Sequence, residues 1–154
     1  MTEKPFPTGA VRRAFSLAIL CGLFFWFACV SARAENFYDQ PPMTEQELLR
    51  FIGDLPVYRA WARQARELAH PGLGDDGRPT FVYSAQAAAR VKEFGWEPKR
   101  FFCVMGRAAA ALAMQEHGNP GTERPVDMPV VSPAEFNLVR RHSVVLIKAG
   151  EKQE

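Results

Sequence analysis

The chain has 154 residues, of which 47% are hydrophobic and 23% are charged, and its formal net charge is +2. Residues 1–34 hold four of the 19 basic side chains and one of the 17 acidic ones, so residues 35–154 carry 15 basic and 16 acidic groups and a net charge of −1. Residues 35–154 are long enough for one domain. Their net charge is slightly negative, so the overall charge gives no reason to expect binding to nucleic acid or to an anionic membrane surface.

Residues 1–34 have the organisation of an export signal. A basic start is followed by residues 14–30, which are charge-free and almost entirely apolar, and small side chains follow at Ala32 and Ala34. This order predicts cleavage after Ala34 by a signal peptidase and a periplasmic or secreted product that begins at Glu35. The alternative is an inner-membrane anchor that keeps residues 14–30, because this stretch approaches the roughly 20 residues that cross a bilayer.

Cysteine usage is consistent with an exported chain. Cys21 and Cys29 lie within the predicted signal, so Cys103 alone remains in the mature protein. An internal disulfide is therefore excluded, and so is a structural zinc site built mainly from thiolates, which needs several cysteines at close spacing. Stability is expected to come from the packing of apolar side chains.

The first predicted elements are two helices separated by Gly53. Thr44 and Glu47 have the spacing of a capping box, and the apolar residues after them predict a short first helix. Asp54 is expected to cap a second helix that ends near Ala69. The second helix has an apolar face with the spacing of a core-facing helix, formed by Leu55, Tyr58, Ala62, Ala65 and Ala69.

A loop is predicted over residues 70–80. Residues 72–77 spell G-x-G-x-x-G, the letters of a dinucleotide-binding motif, but a predicted helix precedes them instead of a strand, and Asp75 and Asp76 would repel phosphates. A turn is the expected structure, because glycine and aspartate are common turn residues. We expect no cofactor at this loop or elsewhere in the chain.

Two further helices are predicted after the loop. Ser84 is expected to cap a helix over residues 85–94, followed by Gly95, where glycine adopts a left-handed conformation at least cost. The next helix covers residues 98–117, starts with a proline in its first turn and is apolar on nearly all sides. Such a helix is expected to lie buried at the centre of the fold, where Gly106 would permit close approach of a neighbouring helix.

The C-terminal part combines an extended strap with a last helix. Three prolines between residues 119 and 131 exclude a regular helix there and predict an extended strap. Ser132 and Glu135 have capping-box spacing and open the last helix. Residues 143–148 form a branched apolar run that fits a helix or a strand equally well.

Taken together, these patterns indicate an all-α fold. Helix caps and helical apolar spacing recur along residues 35–154, which are expected to form a single domain. We expect a small bundle of about five helices around the central helix over residues 98–117, with residues 119–131 as a linker inside the domain.

The clearest candidate for an interaction face is a stripe of arginines, Arg59, Arg63 and Arg66, beside the apolar face of the second helix. These side chains would suit an acidic partner or phospholipid head groups, although a stripe of this kind more often forms a solvated helix face. No residue pattern assigns a catalytic or cofactor-binding role. The three histidines lack the spacing that places two imidazoles on one helix face, so no metal ligand is assigned either.

Two hypotheses for the function remain. The leading one is an exported, non-catalytic binding or accessory protein of the bacterial cell envelope, whose partner is an envelope protein or a small ligand. The alternative is a small extracytoplasmic enzyme or metal-binding protein that uses Cys103, Arg107, Glu116 and His117. Convergence of two or more of these side chains in a solvent-reaching pocket favours the alternative, whereas an apolar groove rimmed by arginines favours a binding protein.

Overall fold

The computed structural model describes residues 36–118 and 125–151. Over these two ranges the chain forms four helices and one two-stranded sheet. None of the four helices combines the length and the apolar character needed to cross a bilayer. In chain order the elements are α1 (Glu45–Ala65), β1 (His70–Leu73), β2 (Pro79–Val82), α2 (Ala85–Glu93), α3 (Pro98–His117) and α4 (Pro133–Gly150).

The predominantly helical fold predicted from the sequence is confirmed, but the bundle of about five helices is wrong, since the described ranges contain four helices and a short hairpin. The predicted signal over residues 1–34, with its cleavage site after Ala34, lies outside the described residues. Residues 119–124 of the predicted strap also lie outside them.

α1 is one helix of 21 residues, where the sequence predicts two. Gly53 and Pro56 lie inside it, although a glycine and a proline in a helix interior cost about 1 and about 3 kcal/mol. Apolar residues on both sides of Gly53 are buried in the same core, and their burial offsets this cost. Asp54 caps no helix, and its carboxylate instead accepts a hydrogen bond of 2.8 Å from the Trp96 indole.

α1 ends at Ala65, before the predicted end near Ala69. Arg66 follows it in a left-handed conformation, with φ of 56°. The backbone amides of Arg66 and Glu67 donate to carbonyl groups in the last turn of the helix. This is the hydrogen-bond pattern of a Schellman motif, in which glycine usually occupies the position that Arg66 takes here.

Part of the segment predicted as a loop forms an antiparallel hairpin. β1 and β2 pair with His70 opposite Val82 and with Leu73 opposite Pro79. Gly77, with φ of 70°, lies in the turn that connects the strands. The loop prediction was wrong because β1 contains a proline and a glycine and lacks the alternating apolar pattern that indicates a strand.

α3 has the bounds that the sequence predicts and supplies much of the core. Phe101 and Phe102 are fully buried, and the rings of Phe101 and Tyr58 have centroids 5.2 Å apart. Gly106 accommodates a side chain of the N-terminal segment, because a Cβ added at Gly106 would lie 2.1 Å from the hydroxyl oxygen of Tyr38. The expectation that Gly106 permits close approach of a neighbouring helix is therefore wrong.

The helix caps predicted from the sequence are present. Thr44 and Ser132 each open a helix with a complete capping box. Ser84 accepts a hydrogen bond from the backbone amide of Ala87 at the start of α2. Gly95, which follows the end of α2, has φ of 75°. These features are predictable because residues within one turn of chain determine them.

α4 continues without a break through residues 143–148, so this apolar run is helical. Val144 and Val145 are exposed, whereas Leu146 is buried against the core. One-sided burial of this kind is typical of a helix at the surface of a domain. Residues 125–131, the described part of the strap, contain neither a helix nor a strand.

Candidate functional site

A cleft of about 910 Å³ lies between the C-terminal half of α1, the middle of α3 and the end of α4. Ala108 and Ala109 of α3 line it, and their small side chains leave space between the helices. Most of the other lining side chains are apolar, and several belong to the hydrophobic core or pack against it. The apolar lining includes Leu55, Tyr58, Ala62, Met105, Leu112 and Leu146.

Three arginines also line this cleft: Arg59, Arg63 and Arg66. Arg59 and Arg63 are four residues apart and lie on one side of α1, and Arg66 is the cap residue after its last turn. All three are exposed, and no carboxylate within residues 36–118 and 125–151 forms an ion pair with any of them. The arginine stripe noted in the sequence therefore borders an apolar cleft.

The way α1 ends leaves these guanidinium groups available to a ligand. The carbonyl groups of Ala62 and Arg63 already accept hydrogen bonds from the backbone amides of Arg66 and Glu67. Arginine side chains near a helix C-terminus often bond such carbonyl groups, but that role is already filled here by the backbone.

Acidic side chains in the lining limit its positive charge. Glu67 and Glu151 line the cleft together with the three arginines, so the lining carries a net charge of +1. A positive lining favours a negatively charged ligand group. The planar guanidinium group of arginine also matches the geometry of a carboxylate or a phosphate, to which it can donate two parallel hydrogen bonds.

Tyr58 lines the same cleft, and its hydroxyl group is buried. The residue is only 3% exposed, and no residue in the described part of the chain forms a hydrogen bond with its hydroxyl group. Burial, together with the negative charge of Glu67, raises the pKa of Tyr58 to about 12, so the hydroxyl keeps its proton at neutral pH. A buried polar group without a partner costs about 1–3 kcal/mol.

The four residues of the enzyme or metal-binding alternative lie in two different environments. Cys103 is buried in α3, and burial raises the pKa of its thiol. Glu116 and His117 are exposed at the end of α3, where Glu116 Oε2 lies 3.8 Å from His117 Nε2. Within the described ranges, no three His, Cys, Asp or Glu side chains are grouped closely enough to hold a metal ion.

Arg107 belongs to a buried network that joins three parts of the fold. Its guanidinium group donates to the Glu135 carboxylate at 2.9 Å and to backbone carbonyl groups of residues 38–41 at 2.7 to 2.9 Å. Glu135 also accepts a hydrogen bond of 2.8 Å from the amide of Met43. Burial acts to raise the pKa of Glu135, but hydrogen bonds from Met43 and Ser132 and the charge of Arg107 outweigh it and hold this pKa below its usual value.

The sequence contains one signal for this network. Arg107 is the only charged side chain between residues 101 and 114. A lone arginine in a helix that is apolar on all sides indicates a buried charge, and a buried charge needs a partner of opposite sign. Glu135 could not be identified as that partner, because the pairing depends on how α4 packs against α3.

Comparisons with protein-family models, with curated proteins and with solved structures find no match to this chain. A role for the cleft must therefore be inferred from its own shape and chemistry.

Proposed function

We propose that this protein is an exported, non-catalytic binding protein of the bacterial cell envelope, and that the cleft between α1, α3 and α4 holds its ligand. The observation that carries the proposal is an apolar cleft of about 910 Å³ lined on one side by three arginines. The proposal of export depends on the signal-like sequence of residues 1–34, which lie outside the described residues.

The dimensions and lining of the cleft support a small ligand. Ligand pockets commonly measure about 300–1,000 Å³ and combine an apolar lining with a few polar groups that fix orientation. The volume of about 910 Å³ lies within that range. A ligand with an apolar part and a negative charge would find a partner for each part, because the lining is apolar and its net charge is positive.

The enzyme or metal-binding alternative receives less support from the arrangement of its residues. Arg107 is held by Glu135 and by backbone carbonyl groups. The raised pKa of Cys103 keeps its thiol protonated, and the protonated thiol is a poor nucleophile. None of the four residues lines the large cleft.

The substitution Ala109→Trp tests whether the cleft is the binding site. Ala109 is exposed and lines the cleft, so an indole at this position would occupy the cleft without overpacking the core. An apolar naphthylamine dye that fluoresces in apolar surroundings is titrated into protein purified from cells that express the full chain. We expect the dye to bind the wild-type protein and to bind Ala109→Trp at least about tenfold more weakly, a loss of about 1.4 kcal/mol.

Ala89→Trp is the matched control, because Ala89 is an exposed alanine of α2 that does not line the cleft. We expect this variant to bind the dye as the wild-type protein does. Circular dichroism and thermal melting establish that both variants are folded. Equal dye affinity in Ala109→Trp and the wild-type protein, or an absence of dye binding in the wild-type protein, would contradict the proposed site.

A further inference from the structure

We infer that the ligand of this cleft is a single-chain carboxylate amphiphile, the chemical class of a fatty acid, with its carboxylate at Arg63 and Arg66 and its chain along the apolar lining. This inference rests on the proposed function, because it names the ligand class of the same cleft. Two observations support it: the net charge of the lining and the position of the arginines.

The net charge of the lining matches a ligand with one negative charge. Three arginines and two glutamates give the lining a charge of +1. A carboxylate brings one negative charge, whereas a phosphate monoester brings about two at neutral pH. The additional charge would be repelled by Glu67 and Glu151, which line the same cleft. A carboxylate is therefore the better fit.

The arrangement of the arginines places the charged end of the ligand at the end of α1. Arg63 lies in the last turn of α1 and Arg66 is the cap residue that follows it, so both residues belong to the same end of the helix, and both line the cleft. Arg59 lies beside the end of α4, since a Cβ added at Gly150 would be 3.2 Å from Arg59 Nη1. Arg63 and Arg66 are therefore the pair that is best placed to bind one carboxylate from two directions.

The remaining lining suits a flexible hydrocarbon chain. Leu55, Leu112 and Leu146 provide branched apolar surface from three different helices, and Met105 adds a side chain that adapts to irregular partners. Each methylene group that leaves water on binding strengthens affinity by up to roughly fourfold. Affinity is therefore expected to rise with chain length until the cleft is filled.

An acidic amphipathic helix of another protein is the competing occupant. Such a helix presents several carboxylates along its length, and it would need a longer positive surface than the one that borders this cleft. A lining with a net charge of +1 favours the ligand with a single charge.

The test compares dodecyl compounds that share one chain and differ in the polar end. Dodecanoate, dodecanol, dodecyl phosphate and dodecyltrimethylammonium compete with the naphthylamine dye, below the concentrations at which they form micelles. We expect dodecanoate to bind at least about tenfold more tightly than dodecanol and dodecyl phosphate, and the cationic compound to bind most weakly. Decanoate is expected to bind more weakly than dodecanoate.

The double substitution Arg63→Gln with Arg66→Gln removes the proposed carboxylate site and keeps the apolar lining. We expect it to abolish the preference for dodecanoate over dodecanol, with little change in the affinity for dodecanol. The matched control is Arg140→Gln with Lys148→Gln, which removes two exposed positive charges of α4 that do not line the cleft. This control is expected to keep the preference.

The outcomes separate the inferred ligand class from the proposed function. Equal binding of dodecanol and dodecanoate, or tighter binding of dodecyl phosphate, overturns the carboxylate inference and leaves the cleft as a binding site if Ala109→Trp still weakens binding. Displacement of the dye by an acidic helical peptide but by no dodecyl compound overturns the inference in favour of a protein partner. If Ala109→Trp weakens the binding of none of these compounds, both the inference and the proposed function are overturned.

Discussion

Arg66 is the residue at which ligand binding and stability are expected to conflict. Within the described ranges it is the only residue other than glycine with a positive φ, at 56°. A side chain in this left-handed region costs roughly 1–2 kcal/mol, because its Cβ crowds the following carbonyl oxygen. Glycine would avoid that cost, but glycine would also remove one of the guanidinium groups that line the cleft.

We expect Arg66→Gly to raise the free energy of unfolding by about 0.5–1 kcal/mol and to weaken the binding of dodecanoate. Urea denaturation measures the first effect, and competition with the naphthylamine dye measures the second. Arg66→Gln is the control, because it removes the charge and keeps the left-handed side chain, so it should weaken binding without the gain in stability. A lower stability of Arg66→Gly would contradict the expected cost of the left-handed arginine, and unchanged dodecanoate binding would contradict its role in the cleft.

At the scale of elements, the buried pair of Arg107 and Glu135 holds the segment before α1 against α3 and α4. The two side chains are 7% and 4% exposed, so the pair is almost completely removed from water. Glu135 also accepts hydrogen bonds from Ser132, and the pair forms further hydrogen bonds with backbone groups of residues 38–43. A segment with no helix or strand of its own is thereby attached to the core by backbone hydrogen bonds.

We expect Arg107→Met to lower the free energy of unfolding by about 3–5 kcal/mol, because the substitution leaves the Glu135 carboxylate buried without its cation. Arg140→Met is the control, since Arg140 is exposed on α4 and forms no ion pair in the described ranges. Its effect should stay within about 0.5 kcal/mol. Urea denaturation of both variants provides the measurement, and equal stabilities would contradict the structural role of the pair.

How well an element can be predicted from the sequence depends on the range of the interactions that determine it. The helix starts at Thr44, Ser84 and Ser132 were correct because each cap is made by side chains within one turn. The break predicted at Gly53 was wrong because helix propensity is a weak local preference that the packing of α1 against the core overrides. The hairpin over residues 70–82 was missed for the same reason, since pairing and not local sequence stabilises β1.

The candidate site was only partly predictable. Arg59 and Arg63 could be placed on one side of a helix, because their spacing of four residues is a property of α1 alone, whereas Arg66 lies beyond the end of that helix. The cleft beside them could not be predicted, since it forms where side chains of three helices leave space. The burial and missing hydrogen-bond partner of the Tyr58 hydroxyl group likewise depend on neighbours that are distant in sequence.

At the scale of the whole molecule, the proposal of export makes a prediction about the chain that cells produce. Expression of the full chain in a bacterial host should yield a periplasmic or secreted protein that lacks residues 1–34 and begins at Glu35. Intact-mass spectrometry of the purified protein measures this directly. Recovery of a membrane-bound protein that retains residues 14–30 would support the anchor alternative, and recovery of an intact cytosolic protein would contradict export.

The central claim is that the cleft between α1, α3 and α4 binds the chain of an amphiphile, and paramagnetic relaxation tests it most directly. A stearate that carries a nitroxide near its methyl end is added to isotope-labelled protein purified after expression of the full chain. Backbone amide signals of lining residues such as Leu112 and Gly150 should broaden, while those of α2 residues such as Ala89 should not. Broadening centred on α2, or no site-specific broadening at a saturating concentration, would contradict the claim.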